Sequence, residues 1–214
     1  MKLKAVIFDL DGTLINSEQA ILGAFQHVLK EQGAAYDETI VRTHIGRVLT
    51  DTYSRLIPGS DAQKLALQHR DWQITNKHLI KSFEGLEDFL HQLKKHGLKL
   101  AAYTSASRLR TEVMLEVTGI GVYFEAIICG DEVTKPKPHP EGVKTLLKYM
   151  HMKPEQVVMV GDATHDIESG KHAGVLTIGI THGFGTREAL QKASADYLVD
   201  SLSELQKLLQ KLIP

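Results

Sequence analysis

The chain has 214 residues, a length that suits one α/β domain, alone or with a smaller inserted domain. Its 25 lysines and arginines are mixed with 26 aspartates and glutamates, so it lacks the basic surface that binds nucleic acids or anionic membranes, and neither partner is expected. The single cysteine excludes an internal disulfide bond, and since no secretory signal pattern begins the sequence, we expect a cytoplasmic protein.

The first predicted element is a buried strand that ends in acidic residues. Ala5–Phe8 is a continuous apolar run, which is typical of a strand inside a parallel sheet. Asp9 and Asp11 follow it, and residues two apart leave a strand on the same side, toward the strand end where α/β sheets bind ligands. Two carboxylates repel each other by about 4 kcal/mol at about 4 Å and an effective dielectric constant of about 20. This repulsion favours a bound divalent cation.

Residues 18 to about 81 show helical periodicity and no convincing strand. Ser17 stands where the first of these helices begins and is a candidate N-cap. We predict a helical insertion over residues 16–82, which divides the remaining chain into 1–15 and 83–214.

From residue 83 onward, predicted strands and helices alternate. The predicted strands cover 98–103, 124–129, 156–160, 176–180 and 197–199. The pattern predicts a Rossmann-like three-layer α/β core, with a parallel sheet between two layers of helices. Right-handed crossovers place the carboxyl ends of all these strands on one rim.

Polar side chains of matching chemistry follow the strands at this rim. Carboxylates suit Mg²⁺, and a lysine with nearby hydroxyls suits the oxygens of a phosphoryl group, so together they indicate phosphoryl transfer. Besides Asp9 and Asp11, these residues are Thr104, Ser105, Lys135, Lys137, Asp162 and Asp166.

Taken in order, four segments resemble the motifs of the haloacid dehalogenase-like superfamily of hydrolases. The resemblance extends over the whole chain, and the helical insertion is similar to the C1-type cap of the phosphoglycolate phosphatase-like branch. The segments are Asp9-Leu10-Asp11-Gly12-Thr13, Thr104, Lys137-Pro138-His139-Pro140 and Gly161-Asp162-Ala163-Thr164-His165-Asp166.

The resemblance implies that Asp9 is a nucleophile that forms an aspartyl-phosphate. It implies that Asp11 is the general acid, and afterwards the base that activates water. It further implies a Mg²⁺ site made by the carboxylates of Asp9 and Asp162 and the backbone carbonyl of Asp11. Asp166 is then a residue that orients the site without binding the metal.

Thr104, Ser105 and Lys137 are the implied phosphate-binding residues. The lysine motif also fits Lys135, because Pro136 and Pro138 have the same spacing. We favour Lys137, since the Pro-His-Pro-Glu that follows it matches the family pattern.

The implied function is a Mg²⁺-dependent phosphatase that acts on a small phosphorylated metabolite, such as a phosphoglycolate-like compound or a sugar phosphate. Inorganic pyrophosphatases of the same family share these motifs and stay open as an alternative. Sugar-phosphate mutases rank lower, because Ile21 occupies the position of their cap histidine. A dehalogenase is disfavoured by the presence of Asp11, and a phospho-acceptor or binding module without turnover is disfavoured by Asp11 and the insertion.

Other residues carry weaker predictions. Arg47, after Gly46 in the insertion, is a candidate for binding a substrate anion, with an ordinary surface position as the equal alternative. We expect Cys129 to be buried and His165 to be exposed, and residues 183–185 to form a tight turn at the rim. The oligomeric state is left open.

Overall fold

A computed structural model describes residues 3–213, and their centre is a sheet of six parallel strands in the order β5-β4-β1-β6-β7-β8. The strands are β1 (Ala5–Phe8), β2 (Ile15–Asn16), β3 (Lys81–Ser82), β4 (Lys99–Tyr103), β5 (Ala126–Ile128), β6 (Val157–Gly161), β7 (Leu176–Ile180) and β8 (Tyr197–Val199). The other two strands, β2 and β3, pair with each other in antiparallel fashion.

Within residues 3–213, four α-helices form an insertion between β2 and β3, which we call the cap, and six α-helices follow β3. The helices are α1 (Glu18–Glu31), α2 (Glu38–Arg42), α3 (Leu49–Leu56), α4 (Ala62–Thr75), α5 (Leu86–Lys95), α6 (Arg108–Thr118), α7 (Glu141–Met150), α8 (Thr164–Ala173), α9 (Arg187–Lys192) and α10 (Leu202–Leu212). None of the helices in residues 3–213 is long and apolar enough to cross a bilayer.

Strand β1 lies at the centre of the sheet and is covered on both faces. Val6 and Phe8 pack into one apolar cluster with α5 and α10, and Ala5 and Ile7 pack into another with α7. The strand therefore has no polar face, which explains its continuous apolar sequence. The strands that follow β1 in the sequence lie on both sides of it, with β4 and β5 on one side and β6, β7 and β8 on the other. A change of direction of this kind opens a crevice at the carboxyl end of the central strand.

The cap has an apolar cluster of its own, which includes Phe25, Val28, Val41, Tyr53 and Leu65. The prediction of a Rossmann-like α/β core with a helical insertion is confirmed, and the exact division at residues 16 and 82 stays a prediction. The longer predicted elements agree with the structure to within about two residues, which is the usual uncertainty of an element boundary.

Candidate active site

Lys137 is the centre of a buried ionic network at the carboxyl end of β1. Its ammonium group donates to Asp9 Oδ1 at 2.6 Å and to Asp166 Oδ1 at 2.7 Å, and its side chain is 1% exposed. Burial alone would lower the pKa of Lys137, but the charges of Asp166 and Asp9 outweigh it and raise that pKa. Lys135 is exposed, so the structure brings Lys137 rather than Lys135 to Asp9.

Asp162 follows β6 and is fixed by two donors. Its Oδ1 accepts from the Thr13 hydroxyl at 3.0 Å, and its Oδ2 accepts from the backbone N–H of Phe184 at 2.7 Å. A Cβ atom on Gly183 would lie 2.3 Å from Asp162 Oδ2, so only glycine lets the loop approach this closely. The turn predicted at residues 183–185 therefore holds Asp162 in place.

Three buried carboxylates, from Asp9, Asp162 and Asp166, place ligand oxygens within 4.8 Å of one another. Burial, followed by the charge of Asp166, raises the pKa of Asp162 to about 7. Burial, with the charges of Asp166 and Asp162, raises the pKa of Asp9 well above its usual value although Lys137 opposes the shift. Three carboxylates against one ammonium leave an excess of negative charge, and an all-oxygen donor set of this kind suits Mg²⁺.

Asp166 uses both of its oxygens within the protein. Oδ1 accepts from Lys137, and Oδ2 accepts from the backbone N–H of Ala163 at 3.1 Å. Burial would raise the pKa of Asp166, but the charge of Lys137 outweighs it, and that pKa lies below its usual value. Asp166 is thus suited to orient Lys137, while its oxygens also lie within reach of the metal position.

Asp11 is paired with Arg110. The two guanidinium Nη atoms donate to the two oxygens of Asp11 at 2.6 and 2.7 Å. Burial would raise the pKa of Asp11, but the charge and the hydrogen bonds of Arg110 outweigh it and lower that pKa. Ser17 stands at the N-cap position of α1, as predicted, but its hydroxyl donates to Asp11 instead of capping the helix.

The sequence analysis does not predict Arg110 as a residue of the site. It lies in the first turn of α6 and is 6% exposed. An arginine in the first turn of a helix opposes the helix dipole, so some other interaction must hold it there. Arg108 stands in the same turn, so this unfavourable position does not by itself distinguish Arg110 in the sequence.

Thr104 and Ser105 follow β4 and face the same space as Asp9. Thr104 is buried, and its hydroxyl oxygen accepts from the backbone N–H of Ala106 at 3.1 Å. The hydroxyl hydrogen is therefore available to a ligand.

A cavity of about 300 Å³ separates this network from the cap. Its core side includes Asp9, Asp11, Thr104, Ser105, Lys137 and Asp162. Its cap side includes Arg47, which is exposed, and Arg70, together with His69 and Gln73. Among the described residues, none of those that line the cavity from the cap is acidic. The predicted site residues apart from Asp166 thus border one cavity between core and cap, and Arg47 is among them.

His165 is not exposed, and the prediction that it would be is wrong. A Cβ atom on Gly46 of the cap would lie 2.8 Å from the His165 ring, so the loop before α3 covers this histidine. Burial lowers the pKa of His165 and favours the neutral ring. Cys129 is fully buried, as predicted.

Comparisons with known proteins agree with this geometry. Residues 6–180 match the family described as haloacid dehalogenase-like hydrolase. The chain is 33% identical over 216 aligned positions to the pyrophosphatase PpaX of Bacillus mycoides, and 99% of each chain is covered. A structure described as a predicted phosphatase, from Clostridium acetobutylicum, has a TM-score of 0.87 at 26% identity and covers 99% of this chain and 100% of its own.

A structure described as a predicted phosphoglycolate phosphatase, from Haemophilus somnus, shares the fold. Its TM-score is 0.88 at 23% identity, with 98% of this chain and 99% of that chain covered. The sequence match, the shared fold and the buried carboxylate cluster all agree. The chain therefore belongs to the haloacid dehalogenase-like hydrolase family.

Proposed function

We propose that this protein is a Mg²⁺-dependent phosphohydrolase whose substrate is inorganic pyrophosphate. The observation that carries the proposal is the charge distribution of the cavity. Asp9 and Lys137 form its base, and Arg47 and Arg70 line its opposite wall without an acidic neighbour on the cap side of the described cavity. Such a cavity suits a substrate with a second anionic group, and the full-length similarity to pyrophosphatases supports the same choice.

Asp9 has one oxygen on Lys137 and a second oxygen for nucleophilic attack. That oxygen attacks one phosphorus, and the bond from this phosphorus to the bridging oxygen breaks. Asp11 takes up a proton when its pair with Arg110 opens and gives that proton to the departing phosphate. It afterwards takes a proton from the water that hydrolyses the aspartyl-phosphate, and releases this proton when the pair forms again. One pyrophosphate and one water yield two phosphates, and both aspartates return to their starting state.

Asp9, Asp162 and the backbone carbonyl of Asp11 would hold the Mg²⁺, which neutralises charge on the carboxylates and the phosphoryl group. Lys137 supplies a fixed positive charge beside the nucleophile, and Asp166 keeps its ammonium group in position. The Thr104 and Ser105 hydroxyls bind oxygens of the transferred group.

Small phosphate monoesters, such as phosphoglycolate-like compounds and sugar phosphates, are a second candidate. The observation in their favour is the apolar part of the cavity, where Ile21, Phe25 and Leu49 present side chains that pyrophosphate would not need. Ile21 also places an apolar group in the cavity where a mutase would carry a histidine, which favours hydrolysis over phosphoryl transfer to a sugar.

A substrate panel tests the proposal. We expect pyrophosphate to give a higher kcat/KM than 2-phosphoglycolate, sugar phosphates or p-nitrophenyl phosphate, and EDTA to abolish turnover of all of them. Asp9→Asn should lower kcat by about a thousandfold or more, with thermal denaturation to check that the variant is folded. A monoester with the higher kcat/KM would replace the proposed substrate, and full activity of Asp9→Asn would overturn the mechanism.

A further inference from the structure

The Arg110 guanidinium has binding capacity that the described residues do not use. An arginine side chain carries five N–H donors, and Arg110 uses two of them on Asp11. Its Nε atom is buried and has no hydrogen-bond partner among the described residues. The side chain lines the cavity that contains Asp9. A polar group that is buried without a partner is costly, so a ligand that satisfies it gains affinity.

The charges around Arg110 favour an anionic ligand. Within the described part of the chain, Asp11 is the one carboxylate that pairs with it. The α4 residues that line the cavity are His69, Arg70 and Gln73, none of them acidic. Burial, with the charge of Arg110 as a further cause, lowers the pKa of His69 to about 3, so its ring is neutral at physiological pH. An anion that enters from the cap side meets no negative charge there.

The contact with Arg110 also uses the two carboxylate oxygens of Asp11. Both oxygens of this carboxylate accept from the guanidinium, and one of them also accepts from Ser17. The contacts with Arg110 and Ser17 therefore compete with any departing group for the oxygens of Asp11. A phosphoryl group presents several oxygens to the same planar fork and carries more charge than a carboxylate, so it competes well for a guanidinium.

We propose that Arg110 determines specificity by exchanging partners. Its guanidinium moves from Asp11 to the phosphoryl group of pyrophosphate that Asp9 does not attack, and binds that group. Binding of that group would then release Asp11 for its reaction. This inference rests on the proposed pyrophosphatase function and adds a residue that recognises the departing half of the substrate.

Kinetics with two substrates test the exchange. Arg110→Gln should raise KM for pyrophosphate by about tenfold or more and change KM for p-nitrophenyl phosphate, which lacks a second phosphoryl group, by less than about twofold. Arg110→Lys keeps the charge without the fork, and its KM for pyrophosphate should lie between the two. Arg187→Gln is the control, because Arg187 pairs with Asp200 on the exposed surface and should leave both KM values unchanged. An equal rise in KM for both substrates, or an equal fall in kcat alone, would overturn the inference.

A binding experiment does not require turnover. Isothermal titration of pyrophosphate with Mg²⁺ into Asp9→Asn should give a Kd that rises by about tenfold or more when Arg110→Gln is added. A crystal structure of Asp9→Asn with pyrophosphate should show the guanidinium on a phosphate oxygen, and an intact Asp11–Arg110 pair in that complex would contradict the exchange. If the wild-type protein fails to hydrolyse pyrophosphate, the proposed function fails by itself, and this titration still decides whether Arg110 binds the second phosphoryl group.

Discussion

Lys137 is the residue on which the charge balance of the site depends. Lys137→Ala leaves Asp9 and Asp166 buried without their counterion, and removal of one partner from a buried ion pair costs about 3–5 kcal/mol. We expect kcat for pyrophosphate to fall by about a hundredfold or more and the melting temperature to fall as well. Lys135→Ala is the matched control, and this exposed side chain should change kcat by less than about twofold. A larger loss for Lys135→Ala would reverse the assignment of the motif lysine.

How far single residues can be predicted depends on how the chain brings them to the site. Asp9, Thr104 and Asp162 directly follow parallel strands, and the geometry of a parallel sheet alone places them at one rim. Arg110 reaches Asp11 from a helix 99 residues away in sequence, through a side-chain conformation that no local pattern encodes. The N–H group of Phe184 is equally hidden, since every residue except proline carries one.

Helices and strands with a clear hydrophobic periodicity can be predicted from the sequence, and the shortest elements cannot. The two-residue strands β2 and β3 are too short to show alternation, and their pairing joins residues on either side of the whole insertion. Helix α9 spans six residues with one of them buried, so it too lacks a clear periodic face. These short elements depend on tertiary contacts for their stability.

The loop that carries Gly46 brings the cap against His165, next to the carboxylate cluster of the core. Gly46 has a φ of +83°, and a Cβ atom there would lie 2.8 Å from the His165 ring. Gly46→Ala should therefore move the cap away from the core and lower kcat/KM by about tenfold. Gly59 in the cap also has a φ of +83°, but a Cβ atom on it meets nothing within 4 Å, so Gly59→Ala measures backbone strain alone. Both variants should lose some stability, and equal kcat/KM in the two would exclude a role for the Gly46 contact.

On the scale of the whole molecule, folding collects like charges that are far apart in sequence. Asp9 is separated from Asp162 and Asp166 by most of the chain, yet the oxygens of all three lie within 4.8 Å of one another in the folded protein. Their repulsion subtracts from the stability that the apolar clusters on both faces of the sheet provide. A cation that binds the folded chain and not the unfolded one would recover this loss, so the proposed metal binding would be coupled to folding.

This coupling predicts that Mg²⁺ stabilises the protein more at about pH 8 than at about pH 6. Asp162 has a pKa of about 7 in the folded protein against an ordinary value of 3.8. Its protonation stabilises the metal-free fold at low pH, and this stabilisation is lost as pH rises through about 7, with a slope of at most about 1.4 kcal/mol per pH unit. The proposed Mg²⁺ would bind the deprotonated carboxylate and so neutralise its charge at pH values where the proton no longer does.

The measurement is the rise in melting temperature that saturating Mg²⁺ causes at the two pH values. His69 acts in the opposite direction, because its pKa of about 3 removes stability as pH falls below about 6.5. His69 contributes equally with and without metal, so it cancels in the difference. At a concentration of about 100 times its Kd, Mg²⁺ should add about 2.7 kcal/mol of stability. Asp162→Asn removes a ligand charge and should abolish most of this response, whereas a Mg²⁺ effect that is the same at both pH values and in Asp162→Asn would place the metal away from this cluster.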